Sequence, residues 1–67
     1  MSFMMITDSD GYEWIVNRRH VVLMEPFGNN EWEKGGRLCL ERGSCERNVF
    51  ELDYDSTMAV REWLLTA

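Results

Sequence analysis

Proline and histidine each occur once in this 67-residue chain, and cysteine twice. Each scarcity excludes something. Two cysteines are too few to staple a small secreted fold. Cys39 and Cys45 also stand six positions apart, outside the usual knuckle spacing, and His20 alone could join them as a soft ligand, so a metal site would lack its fourth donor. The longest purely apolar runs, residues 3–6 and 21–24, fall far short of the roughly 20 residues of a spanning helix. No basic segment followed by an apolar run marks the N-terminal end for secretion. A cytoplasmic protein without membrane association is therefore expected. A basic surplus is missing as well: 12 acidic against 7 basic residues leave a net charge of -5, which repels most nucleic-acid backbones.

What remains has room for one small domain, residues 1–67. Size scaling gives roughly 4,400 Å² of folded surface against roughly 11,500 Å² unfolded, so about 60% is buried. Such a core is marginal, and self-association is a direct remedy.

The first punctuation is Asp8-Ser9-Asp10-Gly11, a turn signal between apolar residues 3–6 and an alternating run at 12–16. Tyr12, Trp14 and Val16 share one face of that second strand. Residues 21–25 form the next strand, closed or placed at an edge by Pro26, with Val22 and Met24 on one face and Val21 and Leu23 on the other. Apolar residues on both faces imply either a barrel-like centre or a second face covered by something else. Residues 27–36, rich in glycine and asparagine, predict a long hairpin loop. Leu38 and Leu40 then alternate with Arg37, Cys39 and Glu41, Gly43-Ser44 turns the chain, and residues 49–54 form a strand with Phe50, Leu52 and Tyr54 on one face. The period then switches: Asp55 or Ser56 caps a helix running to about Leu65, with Val60, Trp63 and Leu64 as its packed stripe and Met58 and Leu65 roughly opposite.

The expected architecture is α+β: a small antiparallel β-sheet or partly open barrel of four to five strands with one C-terminal helix. Its expected core is Tyr12, Trp14, Val16, Val22, Met24, Leu38, Leu40, Phe50, Leu52, Val60, Trp63 and Leu64.

Catalytic groups do not converge in this sequence. Ser44, Ser56 and Thr57 have only His20 as a partner and no nucleophile-elbow spacing, so no enzyme, no catalytic residue and no cofactor is expected. The 8–13 segment begins like a calcium loop, but its twelfth position is Arg19 rather than glutamate and its flanks read as strands. Trp32, between two glutamates, has no assigned core face: it either covers a core edge or projects with Phe27 as an anchor for another chain. The candidate protein interface is Leu23, Phe27, Trp32, Met58 and Leu65. The alternative is a nucleic-acid-associated regulator using Arg18, Arg19 and His20 beside Tyr12 and Trp14, or an acidic inhibitor of a basic site.

The rhythm Asp10-Gly11-Tyr12-Glu13-Trp14-Ile15-Val16-Asn17, then His20-Val21-Val22-Leu23-Met24-Glu25, then Arg37-Leu38-Cys39-Leu40-Glu41-Arg42-Gly43, followed by residues 49–52 leading into a helix near Asp55, resembles the small FlbD-like proteins encoded among bacterial flagellar genes. The chain departs from that pattern in its longer 27–36 segment, in residues 44–48 and in its three tryptophans. The resemblance implies a small regulatory or assembly protein and supplies no catalytic residues. Sequence and resemblance together give the expectation of a non-enzymatic protein-interaction or regulatory module, a homo-oligomer that also engages a second protein.

Overall fold

A computed structural model describes residues 3–28, 31–43 and 47–66. Strands β1 (Phe3–Thr7) and β2 (Glu13–Asn17) form an antiparallel hairpin, and a single 3-10 turn (Arg18–His20) leads into β3 (Val21–Phe27). β4 (Glu31–Leu40) and β5 (Val49–Leu52) complete a three-stranded antiparallel sheet in the order β3-β4-β5, and helix α1 (Tyr54–Leu65) follows. The fold is α+β, with two small sheets that do not close into a barrel.

Alternation explains the core. Ile6 and Val16 from the hairpin meet Leu38, Leu40, Phe50 and Leu52 from the sheet and Val60 from the helix, and all seven are buried. Trp14 carries the hairpin onto the sheet, its ring centroid 5.1 Å from that of Phe50 at a tilted 60°. The amide of Ser9 donates to the carbonyl of Glu51 at 2.9 Å, which fastens the hairpin tip to β5.

Several expectations change on this frame. Tyr12 and Val22, assigned to the core, are 67% and 61% exposed. Tyr12 precedes β2 and belongs to the hairpin turn, where its backbone rather than its ring is used. Val22 is displaced by a bulge: β3 pairs Val21 with Leu40 and Leu23 with Cys39, so one residue is inserted between them. Val21 and Met24, three apart, therefore both pack against the core, while Val22 and Leu23 are exposed. The strand predicted over 49–54 ends at Leu52, and Tyr54, 48% exposed, opens the helix. The cap is Asp53 rather than Asp55 or Ser56, its Oδ1 accepting the Ser56 amide at 2.8 Å.

The 27–36 loop is largely strand. β3 runs through Phe27, and β4 already begins at Glu31, with the register jumping from Gly36 opposite Pro26 to Glu31 opposite Phe27. Gly35 and Gly36 look like loop residues, but both are buried. A Cβ at Gly36 would sit 2.5 Å from the Glu25 carbonyl oxygen and 3.3 Å from Thr57 Cγ2, so glycine there lets the helix approach the sheet.

Candidate interaction surfaces

β1 and β3 are the two described strands whose sequences are apolar nearly throughout, and in both the rest of the chain covers one face. On the hairpin, Met4 and Ile6 face the core, while Phe3, Met5 and Ile15 are 55%, 58% and 73% exposed. Met5 and Ile15 are direct cross-strand partners, so their side chains form one outward patch with Phe3. On the sheet, Leu23, Cys39 and Val49 lie in register on the face opposite to Met24, Leu38 and Phe50. The neighbouring row is charged: Arg37 reaches Glu25 at 3.2 Å and Glu51 at 3.9 Å and lays its guanidinium over the Phe27 ring, 4.8 Å from the centroid. Leu23 and Phe27 thus share the open face of the sheet, and Phe27 is partly covered by Arg37.

Trp32, Met58 and Leu65 lie elsewhere, on the helix side. Trp32 folds back from β4 toward α1, where the Arg61 guanidinium stacks 5.4 Å from its ring centroid. With Met24, Leu64 and Leu65 these two residues line an open groove of about 240 Å³. Met58 and Glu62 continue it along the helix, again beside Arg61 and Leu65. The five predicted interface residues therefore divide between two faces. Periodicity treats Met24 and Leu64 as plain core and Arg61 as a flanking charge, and the groove that joins them to Trp32 was not read from it.

The basic turn performs a structural task. Arg18 donates through Nη2 to the Leu64 carbonyl at 2.8 Å and through Nη1 to the Thr66 carbonyl at 3.0 Å. Helix α1 has no basic residue in its last turn, so Arg18 supplies from 46 residues away the positive charge that its C-terminal carbonyls favour. Arg19 is exposed, and His20 Nδ1 lies 3.7 Å from a Glu41 carboxylate oxygen. Replacing Arg18 with glutamine should lower unfolding stability by about 1 kcal/mol, since charged hydrogen bonds to helix ends are of that order. Urea denaturation checks this, and an unchanged midpoint would show that water serves those carbonyls equally well.

The hairpin turn holds a polar node that composition did not reveal. Asp8 is 6% exposed and accepts four hydrogen bonds. Oδ1 takes the amides of Asp10 at 2.9 Å and Tyr12 at 3.0 Å, and Oδ2 takes Trp14 Nε1 at 2.8 Å and Arg47 Nη1 at 3.2 Å. The Trp14 bond chiefly, then those backbone amides and the Arg47 charge, hold its carboxyl below the ordinary value against the opposing effect of burial. The Asp-x-Asp-Gly spacing is the signal that could have shown it, because such side chains cap their own turns. Cys39 is the opposite case: desolvation first, then the Glu25 carboxylate, push its thiol upward, which disfavours the nucleophilic thiolate. Cys45, and with it any pairing with Cys39, lies outside the described residues, as does Ser44.

Among the described residues no group of three or more His, Cys, Asp or Glu side chains is placed to hold a metal ion, and no helix is long and apolar enough to cross a membrane. No family model, curated protein or solved structure matches the chain.

Proposed function

We propose that this protein is a non-enzymatic interaction module that pairs with a second copy of itself through the outer face of the β1–β2 hairpin. The observation that carries the reading is the exposed Phe3, Met5 and Ile15 patch on a strand whose other face is already core. Strands apolar on both faces are normally covered on both. A regulatory or assembly role, as the resemblance to the flagellar-operon proteins implies, is the corresponding biological reading.

Light scattering across a wide concentration range under reducing conditions tests it. The wild type should show a mass above the 7.9 kDa of one chain, and Ile15→Glu should weaken pairing about 100-fold or more by placing an unpaired charge in the interface. A monomer at every concentration would end the proposal. Self-association that survives Ile15→Glu but not Leu23→Glu would move the interface to the open face of the three-stranded sheet.

A further inference from the structure

We infer that the groove between α1 and the β3–β4 hairpin is a second binding site, which takes a peptide segment of another protein carrying a carboxylate beside large apolar side chains. The site is separate from the self-pairing face, since its lining shares no residue with Phe3, Met5 and Ile15. Its occupant follows from charge. Arg37, Arg47 and Lys34 each have a carboxylate of this chain within 4 Å. Arg61 is in no ion pair with a described residue, although the chain has 12 acidic residues. Its guanidinium carbon lies 5.4 Å from the centroid of the Trp32 indole, a contact that uses the face of the cation and no carboxylate.

The apolar surround sets the rest of the partner's chemistry. Met24, Leu64 and Leu65 line the groove, and Leu65 is 74% exposed. At about 240 Å³ the groove lies below the roughly 300–1,000 Å³ of a small-molecule pocket and suits one or two inserted side chains. A guanidinium stacked on tryptophan inside an apolar rim binds carboxylate more strongly than an exposed cation does, because the partner side chains exclude water from the pair. Glu62, on the adjoining stretch of the helix, repels a second acid there, so one carboxylate rather than an acidic run is selected.

A displayed library of random dodecapeptides, selected on the full-length protein, provides the test. Enriched peptides should carry Asp or Glu within a few positions of Leu, Ile, Phe or Trp. A synthetic peptide of the enriched sequence should bind about 10-fold or more weaker when its carboxylate is replaced by the amide, and about 10-fold or more weaker to Arg61→Gln. Arg61→Lys should recover part of the loss, and Leu65→Glu should remove binding through the apolar side. Thermal melts of each variant establish that it is folded. Enriched peptides without an acid, peptides indifferent to Arg61→Gln, or no enrichment at all would each overturn the proposal. Wild-type self-association is measured separately, so failure here is distinguishable from failure of the hairpin-face pairing.

Discussion

Replacing Gly35 with alanine is expected to unfold the protein or leave it barely stable, whereas the same change at Gly43 should cost only about 1–2 kcal/mol. Both glycines have positive φ, 95° and 84°, so the penalty of a left-handed backbone is common to the two variants. Their surroundings differ. A Cβ at Gly43 meets nothing within 4 Å. At Gly35 it collides with the Leu52 carbonyl oxygen and approaches Asp53 C and Cα at 3.2 and 3.3 Å. Those atoms are backbone at the junction of β5 and α1, so relief requires moving the helix cap and with it the packing of Thr57 over Gly36. A chain of this size holds roughly 3–10 kcal/mol in all, at about 0.05–0.15 kcal/mol per residue. Loss of the cap alone takes about 1 kcal/mol of that. Circular dichroism melts of the two variants check the contrast. Similar melting temperatures would show that β4 can yield at Gly35 without disturbing the helix.

Gly35 also shows where the sequence was legible and where it was not. Strict alternation at Leu38 and Leu40, at Phe50 and Leu52, and at Trp14 and Val16 placed those six side chains on the core face, because a period of two has only one solution once one face is buried. The 3-4 spacing of Val60, Trp63 and Leu64 did the same for the helix. Residues whose role depends on a distant segment could not be read this way. Glycine in a loop and glycine beneath a passing backbone look alike until β5 and α1 are in place. The bulge that exposes Val22 changes no residue type, only the count between two ladder partners. Arg18 looks like part of a surface basic cluster, and its acceptors are supplied by the other end of the chain. The candidate site was half legible for the same reason: Trp32 and Leu65 stand out as unassigned apolar residues, but the guanidinium between them belongs to a helix whose docking fixes it there.

Asp8→Asn should lower stability at neutral pH and at the same time flatten its fall toward acid. The two amide orientations each leave a conflict. With oxygen toward the Asp10 and Tyr12 amides, the new NH₂ faces Trp14 Nε1–H and Arg47; turned round, it faces the two backbone donors. Donors so placed are left unsatisfied, and the ring that packs on Phe50 loses its anchor. The pH dependence follows from the lowered carboxyl of the wild type. A group that holds its proton less tightly when folded than when unfolded contributes fully above the unfolded value, and the contribution is lost as pH falls through the lower folded one. Asparagine has no such titration, so the wild-type advantage over the variant should be largest near neutrality and shrink as pH drops below the ordinary carboxylate range. The two proteins differ only at Asp8, so the difference between their pH profiles isolates it. Arg47→Ala removes one of the four donors and also the guanidinium that lies over the Trp14 and Phe50 rings, and should likewise lower stability at neutral pH. Trp14→Phe keeps a ring against Phe50 but deletes the shortest of the four bonds, at 2.8 Å, and should reduce the acid sensitivity in the same direction. Urea unfolding at neutral and acid pH measures all three. A constant gap between wild type and Asp8→Asn across that range would mean that Asp8 titrates alike in the folded and unfolded chain and that the four bonds do not discriminate its charge.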